Sequence, residues 1–120
     1  MKIFGHEWIE SEKFYEVFTV EEISKTPANS LLLLDTLPKS LELAKYCQEN
    51  ALRYALVVSS IEEVMFANLL NATYVVCEKE LAIELMPIVQ NYLFDTQVLA
   101  DIHKDDIEEM AKSGVDGVIL

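Results

Sequence analysis

The sequence is poor in glycine, proline and cysteine. It has three Gly, three Pro and two Cys among 120 residues, whereas apolar residues make up 52%. Disordered chains are short of apolar residues, so this composition predicts a chain that folds throughout. A chain of this length has room for one domain with a sizeable core, and we expect residues 1–120 to form a single domain.

Basic side chains are also scarce: 9 Lys and Arg stand against 21 Asp and Glu, giving a net charge of −12. Nucleic acids and anionic membranes attract clustered basic residues, but here these residues are scattered. We therefore expect no nucleic acid and no membrane as a partner. The sequence also lacks a long apolar run and an apolar amino-terminal segment, so we expect neither a spanning helix nor a signal peptide. We therefore expect a cytoplasmic protein.

Motifs that identify a cofactor are missing. The three glycines, Gly5, Gly114 and Gly117, lie away from the strand–helix turns where a dinucleotide fingerprint needs them. No P-loop, nucleophile elbow, H-E-x-x-H or C-x-x-C occurs. Cys47 and Cys77 have no metal-site or disulfide spacing, and we expect two buried free thiols. The sequence therefore identifies no cofactor, which stays unknown from the residues alone.

Short apolar runs alternating with helical patterns are what the sequence does contain. Six runs predict strands, at 14–18, 31–35, 54–58, 73–77, 97–101 and 116–120, with five helices between them. Continuous apolar runs are typical of strands buried on both faces of a parallel sheet. The pattern predicts a three-layer α/β fold, Rossmann-like or flavodoxin-like, in which helices flank both faces of five or six largely parallel strands.

Finer expectations follow from particular segments. Met1–Phe4 could be a short edge strand, and the runs at Leu31–Leu34 and Tyr54–Val58 should be central. Thr36 should cap a helix with Pro38 in its first turn. A half-barrel that closes by dimerisation uses the same elements and stays open as an alternative.

Candidate site residues follow the strands, because ligands of parallel sheets bind outside the carboxyl ends. We expect ligand-binding side chains among Asp35, Thr36, Ser59, Ser60, Glu78, Lys79, Asp101 and His103. Of these, Asp35, Glu78, Asp101 and His103 could together hold Mg²⁺ or Mn²⁺. The alternative is that Thr19, Thr36 and Ser60 are helix N-caps and the acids lie near positive helix ends.

Two helices carry more apolar residues than one buried face needs. Between Ile61 and Leu70, and between Leu81 and Leu93, few positions are polar. We therefore expect a homo-oligomer formed through helices 61–70 and 80–93. The alternative is that the amino-terminal segment covers both helices through Trp8 and Phe14.

Part of the chain resembles a known family. The run Val57-Val58-Ser59-Ser60, a helix, Asn71–Val76 and Glu80-Leu81-Ala82 are similar to the second half of the Rossmann-type TrkA-N (RCK) regulatory domains of potassium uptake. The resemblance covers about residues 54–93 and implies a dimeric, non-catalytic regulator. The family's glycine-rich loop is absent, so nucleotide binding does not carry over. Separately, residues 111–119 are similar to helix–strand junctions of (β/α)8 enzymes.

These observations favour a non-enzymatic cytoplasmic module that binds a ligand or a partner chain in a regulatory role. The alternative is a small metal-dependent or acid–base lyase or hydrolase with its site at the carboxyl ends of the strands. Asp35, Glu78, Asp101 and His103 would then carry the chemistry.

Overall fold

The computed structural model describes residues 1–120, which form seven strands and five helices. The strands are β1 (Lys2–Phe4), β2 (Phe14–Glu16), β3 (Leu31–Leu34), β4 (Tyr54–Val57), β5 (Tyr74–Glu78), β6 (Gln97–Asp101) and β7 (Gly117–Ile119). The helices are α1 (Val20–Ser24), α2 (Leu41–Glu49), α3 (Ile61–Leu69), α4 (Lys79–Asn91) and α5 (Ile107–Ser113), with a 3-10 turn at Lys104–Asp106 before α5. All six predicted strands and all five predicted helices are present.

All seven strands belong to one parallel sheet with the order β1-β7-β6-β5-β4-β3-β2. The segment at Met1–Phe4, considered as a possible edge strand, is confirmed as the edge strand β1. It brings the count to seven, one or two more than expected. The central strand is β5, whereas β4 is its neighbour and β3 is second from the other edge. The expectation that β3 and β4 would be central is therefore wrong in part.

The helices pack on one face of the sheet, where helices on both faces were expected. From β2 to β7, each strand pairs with the next one along the chain. Because parallel connections are almost always right-handed, adding strands in one direction places every connecting helix on the same side. The larger core cluster contains the buried residues of α2 to α5. The smaller cluster, on the other face, contains strand residues alone.

The sheet is curled, so that its two edges approach each other. The rings of Phe4 in β1 and Phe14 in β2 have centroids 5.1 Å apart, although these strands occupy opposite ends of the sheet order. The inner face of the curl is lined by the smaller cluster: Phe4, Leu31, Ala55, Tyr74, Val76 and Leu99, with Phe14, Leu33 and Ile119 packed against it. A single chain therefore curls its own sheet without a second copy.

Residues 5–13 connect the two edges. Gly5 turns with φ +90°, and its amide donates to Ser11 Oγ at 3.1 Å. Further along, Glu12 accepts two hydrogen bonds from the Arg53 guanidinium, at 2.8 and 2.6 Å. This two-point ion pair attaches the connection to the start of β4.

Helix α2 begins later than expected. Its first residue is Leu41, and the residues from Leu37 to Ser40 form a turn before it. Thr36 and Pro38 therefore precede the helix and do not cap it. Ser40 Oγ bonds back to the carbonyl of Asp35 at 2.6 Å, which ties the turn to the end of β3.

The two cysteines are buried, as expected, and both are free thiols. Burial raises the pKa of Cys47 to about 11. Burial, together with the charge of Glu78, raises the pKa of Cys77 to about 12. Both side chains stay protonated at neutral pH, so neither thiol is an activated nucleophile.

The two strongly apolar helices bury one stripe each. Helix α4 buries Ala82, Leu85, Met86 and Val89, a helical i, i+3, i+4, i+7 pattern. Helix α3 buries Val64 and Ala67 and leaves Phe66 50% and Leu69 71% exposed. The amino-terminal segment does not cover these helices: Trp8 is 83% exposed, and Phe14 packs on the inner face instead. That alternative is wrong.

Candidate functional site

A cleft of about 320 Å³ opens where β4, β5 and β6 end; we call it the carboxyl-edge cleft. It is lined by Val57, Val58, Ser59, Val76, Cys77, Glu78, Leu81 and Asp101. Its walls are mostly apolar strand and helix residues, whereas its polar groups come from the strand ends. Three of the eight ligand-binding candidates, Ser59, Glu78 and Asp101, meet here.

Glu78 and Asp101 are direct neighbours at the rim of the cleft. They are partners in the β5–β6 register, so their side chains leave the sheet on the same side. Both are exposed, and neither forms an ion pair or a side-chain hydrogen bond within the chain. Two unmatched negative charges therefore face solvent at adjacent strand ends.

Ser59 and Ser60 cap the start of α3. Ser60 Oγ accepts from the Glu63 amide at 3.2 Å, and the Glu63 carboxylate accepts from the Ser59 amide at 2.7 Å. Burial raises the pKa of Glu63, but hydrogen bonds from Ser59 and Ser60 outweigh burial and lower the pKa overall. The capping alternative is confirmed for Ser60, the N-cap residue of α3, whereas Ser59 reaches the cleft.

Lys79 points away from the carboxyl-edge cleft. Its ammonium contacts Glu109 at 3.1 Å and Asp106 at 3.5 Å, so it joins the start of α4 to α5. The hydrogen bond that Lys79 donates to Glu109 and the charges of both carboxylates raise the pKa of Lys79. Its role in the structure is to pair with these two acids.

The remaining candidates lie outside the cleft. Asp35 accepts from the Thr36 amide at 2.8 Å and pairs with Lys39 at 3.3 Å, and these contacts lower the pKa of Asp35. His103 Nδ1 accepts from the Asp105 amide at 3.3 Å. No three or more His, Cys, Asp or Glu side chains are placed to hold a metal ion. The expected cluster of Asp35, Glu78, Asp101 and His103 is therefore not formed.

A second cavity, of about 760 Å³, lies at the opposite ends of the strands, where β5 and β6 begin; we call it the amino-edge cavity. It is lined by Lys2, Asn68, Leu69, Asn71, Ala72, Thr73, Tyr74, Asp95, Thr96 and Gln97. Residues that follow the strands do not indicate this cavity, because it lies where strands begin. The signal was Gln97, a polar residue that begins an apolar strand.

An apolar groove of about 550 Å³ runs between α2 and α3; we call it the helix groove. It is lined by Leu37, Pro38, Leu41, Glu62, Glu63, Phe66, Leu69 and Leu70. The exposed Phe66 and Leu69 line this groove. Helix α3, one of the two helices predicted to mediate association, therefore borders an apolar depression. In α4, Met86 is buried and cannot contact another chain.

None of the five helices combines the length and the apolarity that crossing a bilayer would demand. The resemblance of residues 54–93 to the TrkA-N family stays a prediction. The sequence matches no protein-family model and no curated protein.

Proposed function

We propose that this protein is a non-enzymatic, cytoplasmic binding module with a regulatory role, and that it takes a small cationic organic ligand in the carboxyl-edge cleft. The observation that carries the proposal is the pair Glu78 and Asp101, whose negative charges are unmatched at the rim of an otherwise apolar cleft. A ligand with one or two ammonium groups and a short apolar part complements both features.

The size and position of the cleft support this function. Small-molecule sites have volumes of roughly 300 Å³ or more and combine apolar walls with a few polar groups, as this cleft does. It also lies at the carboxyl ends of parallel strands, where ligands of such sheets bind. The net charge of −12 attracts cations at long range.

The enzymatic alternative has less support. A metal-dependent or acid–base reaction would need Asp35 and His103 near Glu78 and Asp101, but neither of the first two lines the cleft. Cys77, the one thiol in the wall, is kept protonated by burial, which raises its pKa. Binding is therefore the function that the cleft supports best.

The test is titration with putrescine, a small dication, followed by amide chemical shifts in NMR at low ionic strength. We expect shifts at Ser59, Glu78, Leu81 and Asp101, and none from an uncharged diol of the same chain length. Removing both charges, by Glu78→Gln with Asp101→Asn, should weaken binding about tenfold, because each exposed ion pair contributes up to about 1 kcal/mol.

A matched control separates a site from general attraction to an acidic protein. The double variant Glu42→Gln with Glu108→Gln makes the same change of two charges away from the cleft. It should bind putrescine as the unmodified protein does. If both double variants lose the same affinity, or if the shifts spread over the whole surface, the proposed site is wrong.

A further inference from the structure

The amino-edge cavity lies where strands begin and the carboxyl-edge cleft where strands end, and the two share no lining residue. Three strand side chains reach it: Lys2 from β1, Tyr74 from β5 and Gln97 from β6. Tyr74 and Gln97 are register partners, and Tyr74 is 3% exposed on the inner face of the curl. Polar groups at the start of an apolar inner face need hydrogen-bonding partners, which a ligand in the cavity could supply.

Two hydrogen-bond donors lie together at one side of this cavity. Lys2 Nζ donates to Tyr74 Oη at 2.5 Å, and no carboxylate lies within ion-pair distance of Lys2. The ammonium therefore has no ion-pair partner, although its charge reaches Glu12, whose pKa is lowered mainly by the hydrogen bond from Arg53, with Lys2 as a lesser contributor. Because the phenol oxygen accepts from the ammonium, the phenol proton remains free to donate. An ammonium beside a phenol O–H suits a carboxylate.

Two acceptors line the same cavity. The Gln97 Oε1 atom is buried and has no donor in the chain. A terminal carboxamide turns readily about its last torsion, so this oxygen can face the cavity when a donor is there. Asp95 is exposed and forms no ion pair. A carboxylate and an unpartnered amide oxygen suit an ammonium group.

We propose that the amino-edge cavity binds a free α-amino acid. Its carboxylate accepts from Lys2 and Tyr74, and its ammonium donates to Gln97 and Asp95. A purely anionic ligand such as phosphate would meet Asp95 and the net charge of −12, whereas a simple amine would meet Lys2. A zwitterion satisfies both ends, and the volume leaves room for a side chain.

The test presents each of the twenty common amino acids singly to the whole chain at about 10 mM, enough to occupy a site with a millimolar dissociation constant. We expect at least one to raise the melting temperature and to shift the amides of Ala72, Tyr74 and Thr96. Its N-acetylated form and its carboxamide form should each fail to bind, because each lacks one charge. If no amino acid binds, or if these derivatives bind equally well, the proposal is overturned.

Variants assign the site to the named residues. Lys2→Met and Gln97→Leu should each lower the affinity at least about tenfold, because each removes a partner of one charged end. Gln97→Leu also removes a buried oxygen without a donor, so it should fold at least as well as the unmodified chain. Lys45→Met, an exposed lysine on α2, is the control and should bind normally.

The two sites can be distinguished. The double variant Glu78→Gln with Asp101→Asn should keep its affinity for the amino acid, since these residues line the carboxyl-edge cleft and not the amino-edge cavity. Equal loss of amino-acid binding in this variant, or full affinity in both Lys2→Met and Gln97→Leu, would contradict the assignment. Circular dichroism of each variant establishes that it is folded before affinities are compared.

Discussion

Gly117 illustrates, at the scale of a residue, how a missing side chain shapes the inside of the sheet. A Cβ atom at this position would lie 2.7 Å from Leu99 Cδ2 and 3.0 Å from the backbone oxygen of Lys2. The absence of a side chain therefore lets β1 and β6 approach β7 closely. Lys2 reaches the amino-edge cavity from this tight arrangement.

We expect Gly117→Ala to lower the free energy of unfolding by about 1–3 kcal/mol, because overpacking forces neighbouring atoms to move. Urea denaturation measures the change. Lys112→Ala is the control: its side chain is exposed, and its ion pair with Glu108, at 3.6 Å, should contribute less than about 1 kcal/mol. An unchanged midpoint for Gly117→Ala would contradict the close contact.

Glu63 gives a prediction for pH. Its carboxylate receives the hydrogen bonds at the start of α3, and Glu63→Gln should cost about 1 kcal/mol at pH 7. The folded-state pKa lies below its ordinary value of 4.5, so the contribution is full above about pH 4.5 and is lost as the pH falls through the folded-state pKa.

The measurement is the difference in unfolding free energy between the unmodified chain and Glu63→Gln, followed from pH 7 downward. It should stay constant to about pH 4.5 and shrink below that. Glu62→Gln, one residue earlier, is the control: Glu62 is exposed and forms no side-chain hydrogen bond, so its difference at pH 7 should be smaller than that of Glu63→Gln. A difference that grows on acidification would refute the role of the carboxylate.

At the scale of elements, the sequence predicted existence and type well. Short, mostly apolar runs identified every strand from β2 to β7, and the N-caps expected at Thr19 and Ser60 begin α1 and α3. The start of α2 was missed because Ser40 bonds back to Asp35 and holds Leu37–Ser40 in a turn. That is a contact across the turn, which a pattern of residue types does not encode.

The site was predicted less completely than the elements. Ser59, Glu78 and Asp101 meet because β4, β5 and β6 are neighbours, which strand spacing alone does not establish. Asp35 and His103 follow strands too, but local contacts with Lys39 and Asp105 hold them elsewhere. The polar side chains of the amino-edge cavity could not be grouped from the sequence, because their proximity depends on the register that pairs Tyr74 with Gln97.

Helix α3 is the element from which we expect self-association. Phe66 and Leu69 leave apolar surface at the helix groove, and burying each side chain would contribute up to about 1.5–3 kcal/mol. We expect sedimentation at micromolar concentration to show a dimer that Phe66→Glu dissociates. A monomer at these concentrations would contradict the expectation.

A charge placed on helix α4, by Met86→Glu, should behave differently. Met86 is buried against the sheet, so a charge there should unfold the chain rather than separate two folded copies. Ile83→Glu, on the partly exposed side of α4, is the better control for a surface on that helix. It should leave the dimer intact if the helix groove is the interface.

The charge imbalance acts at the scale of the whole molecule. A net charge of −12 on 120 residues makes the compact state repel itself, and salt screens that repulsion. We expect the melting temperature to rise between about 0.01 and 0.3 M NaCl, over which the screening length falls several-fold. A constant or falling melting temperature would show that attractive ion pairs outweigh the repulsion.

The one-directional order of the strands also determines when the sheet can be completed. Each strand from β2 to β7 finds its neighbour within a few tens of residues, but Lys2 of β1 is in register with Gly117 of β7. During synthesis β1 leaves the ribosome before the other six strands, and its only partner, β7, leaves last. Strands β2 to β7 can therefore pair with one another before β1 joins the sheet. Contacts so distant in sequence form slowly. The amino-edge cavity, which depends on Lys2, is therefore expected to be the last part of the molecule to take its folded form.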